Sequence, residues 1–147
     1  MADRMRLYTS PSAFPNPRRV RLLMHEKGIA DRVEEVVLDM APGGEQRGWR
    51  HLKRSPWGET ATLELPDGGC LAESTAIGRD LDANSRNRKV MGDVTLCTAV
   101  AFSKFRPNET PPDEHFEQVD RFWRNWKTRN GFRLGYADGG GLPELAS

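Results

Sequence analysis

An α/β domain followed by a smaller all-helical one is the architecture that this chain of 147 residues predicts. Three observations carry it. Two short stretches of strand character, residues 6–8 and 33–38, flank a helical stretch, which makes a βαβ unit. A hairpin over residues 60–72, turning at Pro66-Asp67-Gly68-Gly69, runs directly into a second helix and adds ββα. Beyond the polar run at 82–89 the strand signals stop and two helical patterns follow.

The elements follow in order. Residues 6–8 read as a strand and 9–15 as a loop. Asn16 is placed to N-cap the first helix, with Pro17 in its first turn. Val20, Leu23, Met24 and Lys27 share one helical face, and Gly28 is a stop signal. Residues 33–38 are rich in valine and form a second strand. Residues 40–48 read as loop, and 49–53 as a turn of helix. The hairpin pairs 60–65 with 70–72. Ser74 is the expected N-cap of the next helix, with Ala76, Ile77 and Leu81 facing inward. A βαβ-then-ββα order is the layout of a thioredoxin-like fold. The expected division is therefore a thioredoxin-like domain over 1–82, a linker over 83–89 and a reduced all-α domain over 90–147. In that last part, residues 94–105 are apolar on most sides and suit the middle of a bundle. Residues 113–129 form a second amphipathic helix through Phe116, Val119, Trp123 and Trp126, with Phe122 beside them. Gly131 is the expected stop, residues 132–136 a last short turn, and Gly139-Gly140-Gly141 a mobile tail.

Composition narrows the function classes. The net charge of +1 gives no field for nucleic acid or a membrane surface. The arginines in 18–21 and 86–89 read as solvated faces. Cys70 and Cys97 are far apart and form no Cys-x-x-Cys, which fits a reducing, cytoplasmic compartment. No apolar run is long enough to cross a bilayer, and no signal peptide is read. His25, His51 and His115 stand apart from one another, so no metal site is expected.

The stretch Leu71-Ala72-Glu73-Ser74-Thr75-Ala76-Ile77 carries the chemistry. A helix N-terminus presents unpaired N–H groups and the positive end of the helix dipole, which suits a carboxylate. A Glu just before it adds a partner for an ammonium. A Glu-Ser pair at a strand-to-helix junction therefore suits the α-amino acid end of a peptide, in particular a γ-glutamyl group. Serine is also a common cap for purely local reasons.

Leu7-Tyr8-Thr9-Ser10-Pro11, Asn16-Pro17-Arg18-Arg19-Val20-Arg21 and Glu26-Lys27-Gly28-Ile29 precede that stretch. Ser55-Pro56-Trp57-Gly58, Leu63-Glu64-Leu65 and Asp67-Gly68 lead into it. In this order, over residues 5–82, they resemble the N-terminal domain of the glutathione transferase family. The resemblance resumes at Gly92-Asp93-Val94-Thr95-Leu96 and at Gly131-Phe132. It implies the thioredoxin-like fold and glutathione as co-substrate. It implies that Glu73 and Ser74 hold the γ-glutamyl end, and that the Thr60–Ala61 edge pairs the middle of the tripeptide. A first-loop donor would activate the thiol, with Ser10, Ser12 and Asn16 as candidates and Tyr8 read as a core residue. The family places two long helices between the linker and the buried helix, and the linker here is too short for either. The family's cis-proline position holds Ala61. A cis bond without proline costs about 2.5–4 kcal/mol, so a trans bond is expected. A lysine of the family stands where this chain has Glu59, which would repel the tripeptide's carboxylates. Asp80 replaces an aromatic, and Val90 a Ser/Thr cap.

A free thiol titrates at about 8.5, so a conjugating enzyme must stabilise the thiolate. A first-loop donor and the dipole of the first helix supply the means. The leading reading is thus a transferase joining glutathione to a small electrophile. A non-catalytic or degenerate glutathione-transferase-like binding module is the alternative. A thioredoxin-type oxidoreductase is disfavoured by the absence of Cys from the first loop. The apolar 94–105 helix predicts either self-association into a homo-oligomer or a loosely held C-terminal half.

Overall fold

A computed structural model describes residues 4–11, 14–84, 91–105 and 112–136. Its sheet has four strands in the order β2-β1-β3-β4: β1 (Met5–Thr9), β2 (Val33–Val37), β3 (Thr62–Glu64) and β4 (Cys70–Ala72). β1 and β2 run parallel, joined through helix α1 (Pro15–Lys27), while β3 and β4 are antiparallel additions. The short α2 (Trp49–Leu52) precedes β3, and α3 (Ser74–Ala83) follows β4. This is the thioredoxin-like arrangement expected.

Helix α1 is the centre of the molecule. Val20, Leu22, Leu23 and Met24 are all sealed from solvent, and α1 packs against α3, α4 (Met91–Phe105) and α7 (Asn130–Gly135). It begins two residues earlier than the sequence suggests. Phe14 is its N-cap, so Asn16 lies inside the first turn. The reason is Pro15, whose fixed φ suits the first helical position. At the other end Gly28 takes φ 65°, and its N–H bonds the carbonyl of His25, the expected stop.

The arginines of this helix are not a solvated face. Arg18 is buried, donates to the Gly135 carbonyl at 2.5 Å and lies over the Tyr136 ring. Arg21 is buried and spans from the Ser10 carbonyl at 3.1 Å to Glu35 at 2.6 Å. Their long side chains are covered by the helical half and by the sheet edge, respectively. Arg86 and Arg88 lie outside the described residues.

The helical half differs from its sequence pattern in three places. The single helix expected over 113–129 is two, α5 (Pro112–His115) and α6 (Glu117–Lys127), broken at the extended Phe116. An ion pair of 2.6 Å from Asp113 to Lys104 holds α5 to α4, and Phe116 is left largely exposed. Gly131 does not stop a helix; it lies inside α7, where a Cβ would collide with the Glu26 carboxylate. In α4, Val94, Cys97, Val100 and Ala101 are buried, whereas Leu96 is exposed. Only residues 84–90 separate α3 from α4, too few for the intervening helices of the resembled family. The tail at 139–141 lies outside the described residues. No helix among those described is long and apolar enough to cross a membrane.

Candidate functional site

Strand register gathers the candidate residues at one end of the sheet. Tyr8 pairs with Thr62, and Thr62 pairs with Ala72. One or two residues beyond those pairs stand Ser10 at the exit of β1, Thr60 and Ala61 at the entry of β3, and Glu73 and Ser74 at the exit of β4. The residues assigned to binding, and Ser10 of the three assigned to the thiol, thus converge there. Ser12 lies outside the described residues.

Glu73, not Ser74, is the N-cap of α3, with φ 74° and ψ 116°. Its position in the left-handed φ region is uncommon for a residue with a side chain. It turns the chain sharply from β4 into the helix. Ser74 is drawn into the first turn, is nearly sealed, and makes no cap hydrogen bond. Its Oγ instead accepts from Nη1 of Arg19 at 2.9 Å. Ala76, expected inside, is exposed, and Gly78 takes the inner face with Ile77 and Leu81.

The peptide bond between Thr60 and Ala61 is cis, correcting the expectation of trans. The local preference is overridden by what holds the segment. Nε2 of His51 lies 2.9 Å from the Glu59 carbonyl, so that nitrogen carries the proton. The Thr62 hydroxyl donates to the same carbonyl, and the Glu59 N–H donates to Ser55 Oγ. Ala61 itself is buried.

Charge at this end is divided. The carboxyl of Glu59 comes within hydrogen-bonding reach of Glu73. That contact, and the negative charge of Glu73, raise the Glu59 pKa above its ordinary value. Two exposed carboxylates side by side make a locus for an ammonium. Arg19 provides the opposite charge. Sequence reading missed it, because it sits in an arginine run that reads as solvated; its i+3 spacing from Asn16, which puts both on one helical face, was the signal available.

Of the three thiol-activating candidates, the two among the described residues, Ser10 and Asn16, fare differently. Ser10 is wholly buried, and its Oγ has no hydrogen-bond partner. Asn16 is exposed in the first turn of α1, next to the largely exposed Phe14. Tyr8 is buried as expected, and its hydroxyl donates to Glu64 at 2.7 Å. Burial, then this bond, raises the Tyr8 pKa. The Glu64 carboxyl is held below its ordinary value by Tyr8 first, and by Arg54. Burial pushes both cysteine thiols up, Cys97 far more than Cys70, so neither is poised as a thiolate.

Comparison with known proteins agrees with this geometry. The sequence model of the glutathione S-transferase N-terminal domain matches residues 15–84. Glutathione S-transferase 2 of Saccharomyces cerevisiae is 35% identical over 96 residues, which are 65% of this chain and 40% of the yeast protein. A glutathione S-transferase of Methylobacillus flagellatus, solved with glutathione bound, superposes with a TM-score of 0.75 at 15% identity, covering 89% of this chain and 98% of that one. A glutathione S-transferase domain-containing protein of Marinobacter aquaeolei gives 0.54 at 26% identity, over 90% and 71% of the two chains. Residues 15–84 are therefore similar to the glutathione S-transferase N-terminal domain, and the fold is the one seen in the solved transferases. The match covers 40% of the length of the yeast relative.

Proposed function

We propose that this protein binds glutathione and joins its thiolate to small electrophiles. The observation that carries the reading is the convergence of Thr60, Ala61, Glu73 and Ser74 at one sheet end, with opposite charges set apart on Glu73 and Arg19. In this reading Glu73 takes the ammonium of the γ-glutamyl group and Ser74 its carboxylate. The backbone at Thr60 and Ala61 pairs the middle of the peptide. The N-terminal dipole of α1 favours the thiolate, with Ser12 and Asn16 as donors; Ser10, being buried, acts only through the shape of the loop. The bound glutathione of the Methylobacillus structure supports the choice of ligand. We assign residues 1–82 to the binding domain, 83–89 to the linker and 90–147 to the helical domain.

A second reading is favoured by the short connection at 84–90 and the burial of Ser10: a glutathione-binding module without turnover. Calorimetric titration with glutathione, then a rate assay with an aryl halide on the same sample, separates the two. Binding with turnover supports the transferase, and binding without it the module. A folded protein that gives no heat with glutathione contradicts both.

A further inference from the structure

A groove that the site above does not use lies between α2 and the β3–β4 hairpin. Trp49, Arg50, Lys53 and Arg54 form one wall and Glu64 and Cys70 the other, around a volume of about 440 Å³. Glu64 pairs with Cys70 in the hairpin register. Cys70 stands three residues before Glu73, so the groove lies about 10 Å back along β4 from the candidate site. Trp49 is 64% exposed, and what it gathers is charge. The Lys53 ammonium lies 4.8 Å from its ring centre and the Arg50 guanidinium 5.5 Å, each attracted by the indole. Among the described residues neither side chain has a hydrogen-bond or carboxylate partner. Glu64, the carboxylate lining the groove, is already answered. It accepts from the Tyr8 hydroxyl at 2.7 Å and from Arg54 Nε at 3.1 Å. Arg54 is spent in turn: it lies over the Tyr8 ring, and its Nη1 donates to the Arg50 carbonyl at 2.8 Å. Two like charges held on one ring repel each other, and a single doubly charged group answers both. A phosphate monoester carries close to two charges at neutral pH and offers three acceptor oxygens, two of which match the fork of an arginine.

We propose that this groove binds a small organic phosphate monoester, its phosphoryl group between Arg50 and Lys53 and its carbon part against Trp49 and Cys70. The volume exceeds what a bare phosphate needs, and the indole edge and the half-buried Cys70 are the apolar part of the lining. Arg54 and Glu64 neutralise each other and tie the two walls together. The site is separate from the sheet end at Thr60 and Glu73, and it stands whether or not glutathione binds there.

The test is a cycle between protein and ligand, read by calorimetry. Phenyl phosphate is the probe, and benzenesulfonate, with the same ring and a singly charged head, is the comparison. Each is titrated into wild type, Arg50→Gln, Lys53→Gln and the double variant; both side chains are exposed, so the fold does not depend on them. Wild type is expected to bind phenyl phosphate about tenfold or more tightly than benzenesulfonate, and each single variant to lose about tenfold for phenyl phosphate. In the double variant the two ligands are expected to differ by less than about twofold, since the cation pair is gone. The wild-type preference should shrink likewise about one pH unit below the second phosphate pKa of about 6, where the probe carries a single charge. Place is read by alkylation with iodoacetamide. Cys70 is half-buried and Cys97 sealed, and bound phenyl phosphate is expected to slow the modification of Cys70. Saturating glutathione should leave phenyl phosphate affinity unchanged. No binding by wild type, equal affinity for the two ligands, or a preference undiminished in the double variant overturns the proposal. So does a Cys70 that phenyl phosphate leaves unprotected, or competition by glutathione, which would place the phosphate at the other end of the sheet.

Discussion

The junction of β4 with α3 and the loop after β1 lie at the same end of the sheet, yet they are built to different degrees. At the junction, backbone, charge and hydrogen bonding agree. Glu73 turns the chain, Ser74 is fixed on Arg19, and Glu59 adds a second carboxylate. At the loop, the serine nearest the strand is buried and turned from solvent, and the first turn of α1 offers Asn16 beside an exposed Phe14. On the glutathione-binding reading proposed above, the difference teaches that holding the γ-glutamyl end and activating the thiol are separable tasks, the first resting on specific side chains and the second mainly on the helix dipole.

That separation is open to breakage at several points. The largest effect is expected from Glu73→Gln. A hydrogen bond to a charged group is worth about 1.5–3 kcal/mol, so glutathione affinity should fall about tenfold or more. The apparent thiol pKa of whatever glutathione still binds should stay put. Affinity unchanged in a folded variant would contradict the role of Glu73.

A smaller effect is expected from pH. Glu73 raises the carboxyl pKa of Glu59 above its ordinary value of 4.5. A proton held between the two carboxylates competes with a ligand ammonium. Affinity should be level at neutral pH and fall, by a few-fold, as the pH drops through that raised range. Glu59→Gln should flatten the dependence in calorimetric titrations run across pH, and a slope as steep as that of wild type would count against the shared proton.

Smaller again is the effect at the thiol. Asn16→Ala or Ser12→Ala is expected to raise the apparent thiol pKa of bound glutathione by about half a unit, followed by thiolate absorbance. If both leave it alone, the dipole of α1 acts unaided. Ser10→Ala should change neither pKa nor affinity, because its Oγ is buried. A clear rise in thiol pKa there would mean that the loop rearranges to present it.

Much of this was legible in the sequence, for identifiable reasons. The sheet order follows from alternating short strands and one helical period, and the Gly28 stop from its need for a positive φ. Glu73 and Ser74 were legible as a pair at a junction. Which of them caps α3 was not, because that depends on Arg19 drawing the serine hydroxyl across from another helix. The cis bond before Ala61 was hidden for the same kind of reason, as it is held by His51, Ser55 and Thr62 rather than by a proline. The burial of Arg18 and Arg21 depends on α7 and β2, far away in the chain. Local pattern reports propensity, and these features are set by distant partners.

The most direct test of the account is competition between glutathione and cysteinylglycine, which keeps the thiol and the glycyl end but lacks the γ-glutamyl group. The account predicts that cysteinylglycine binds at least about tenfold more weakly, because Glu73 and Ser74 would lose the γ-glutamyl ammonium and carboxylate they hold. Equal affinity for the two thiols would contradict it, and would place recognition at the thiol loop instead.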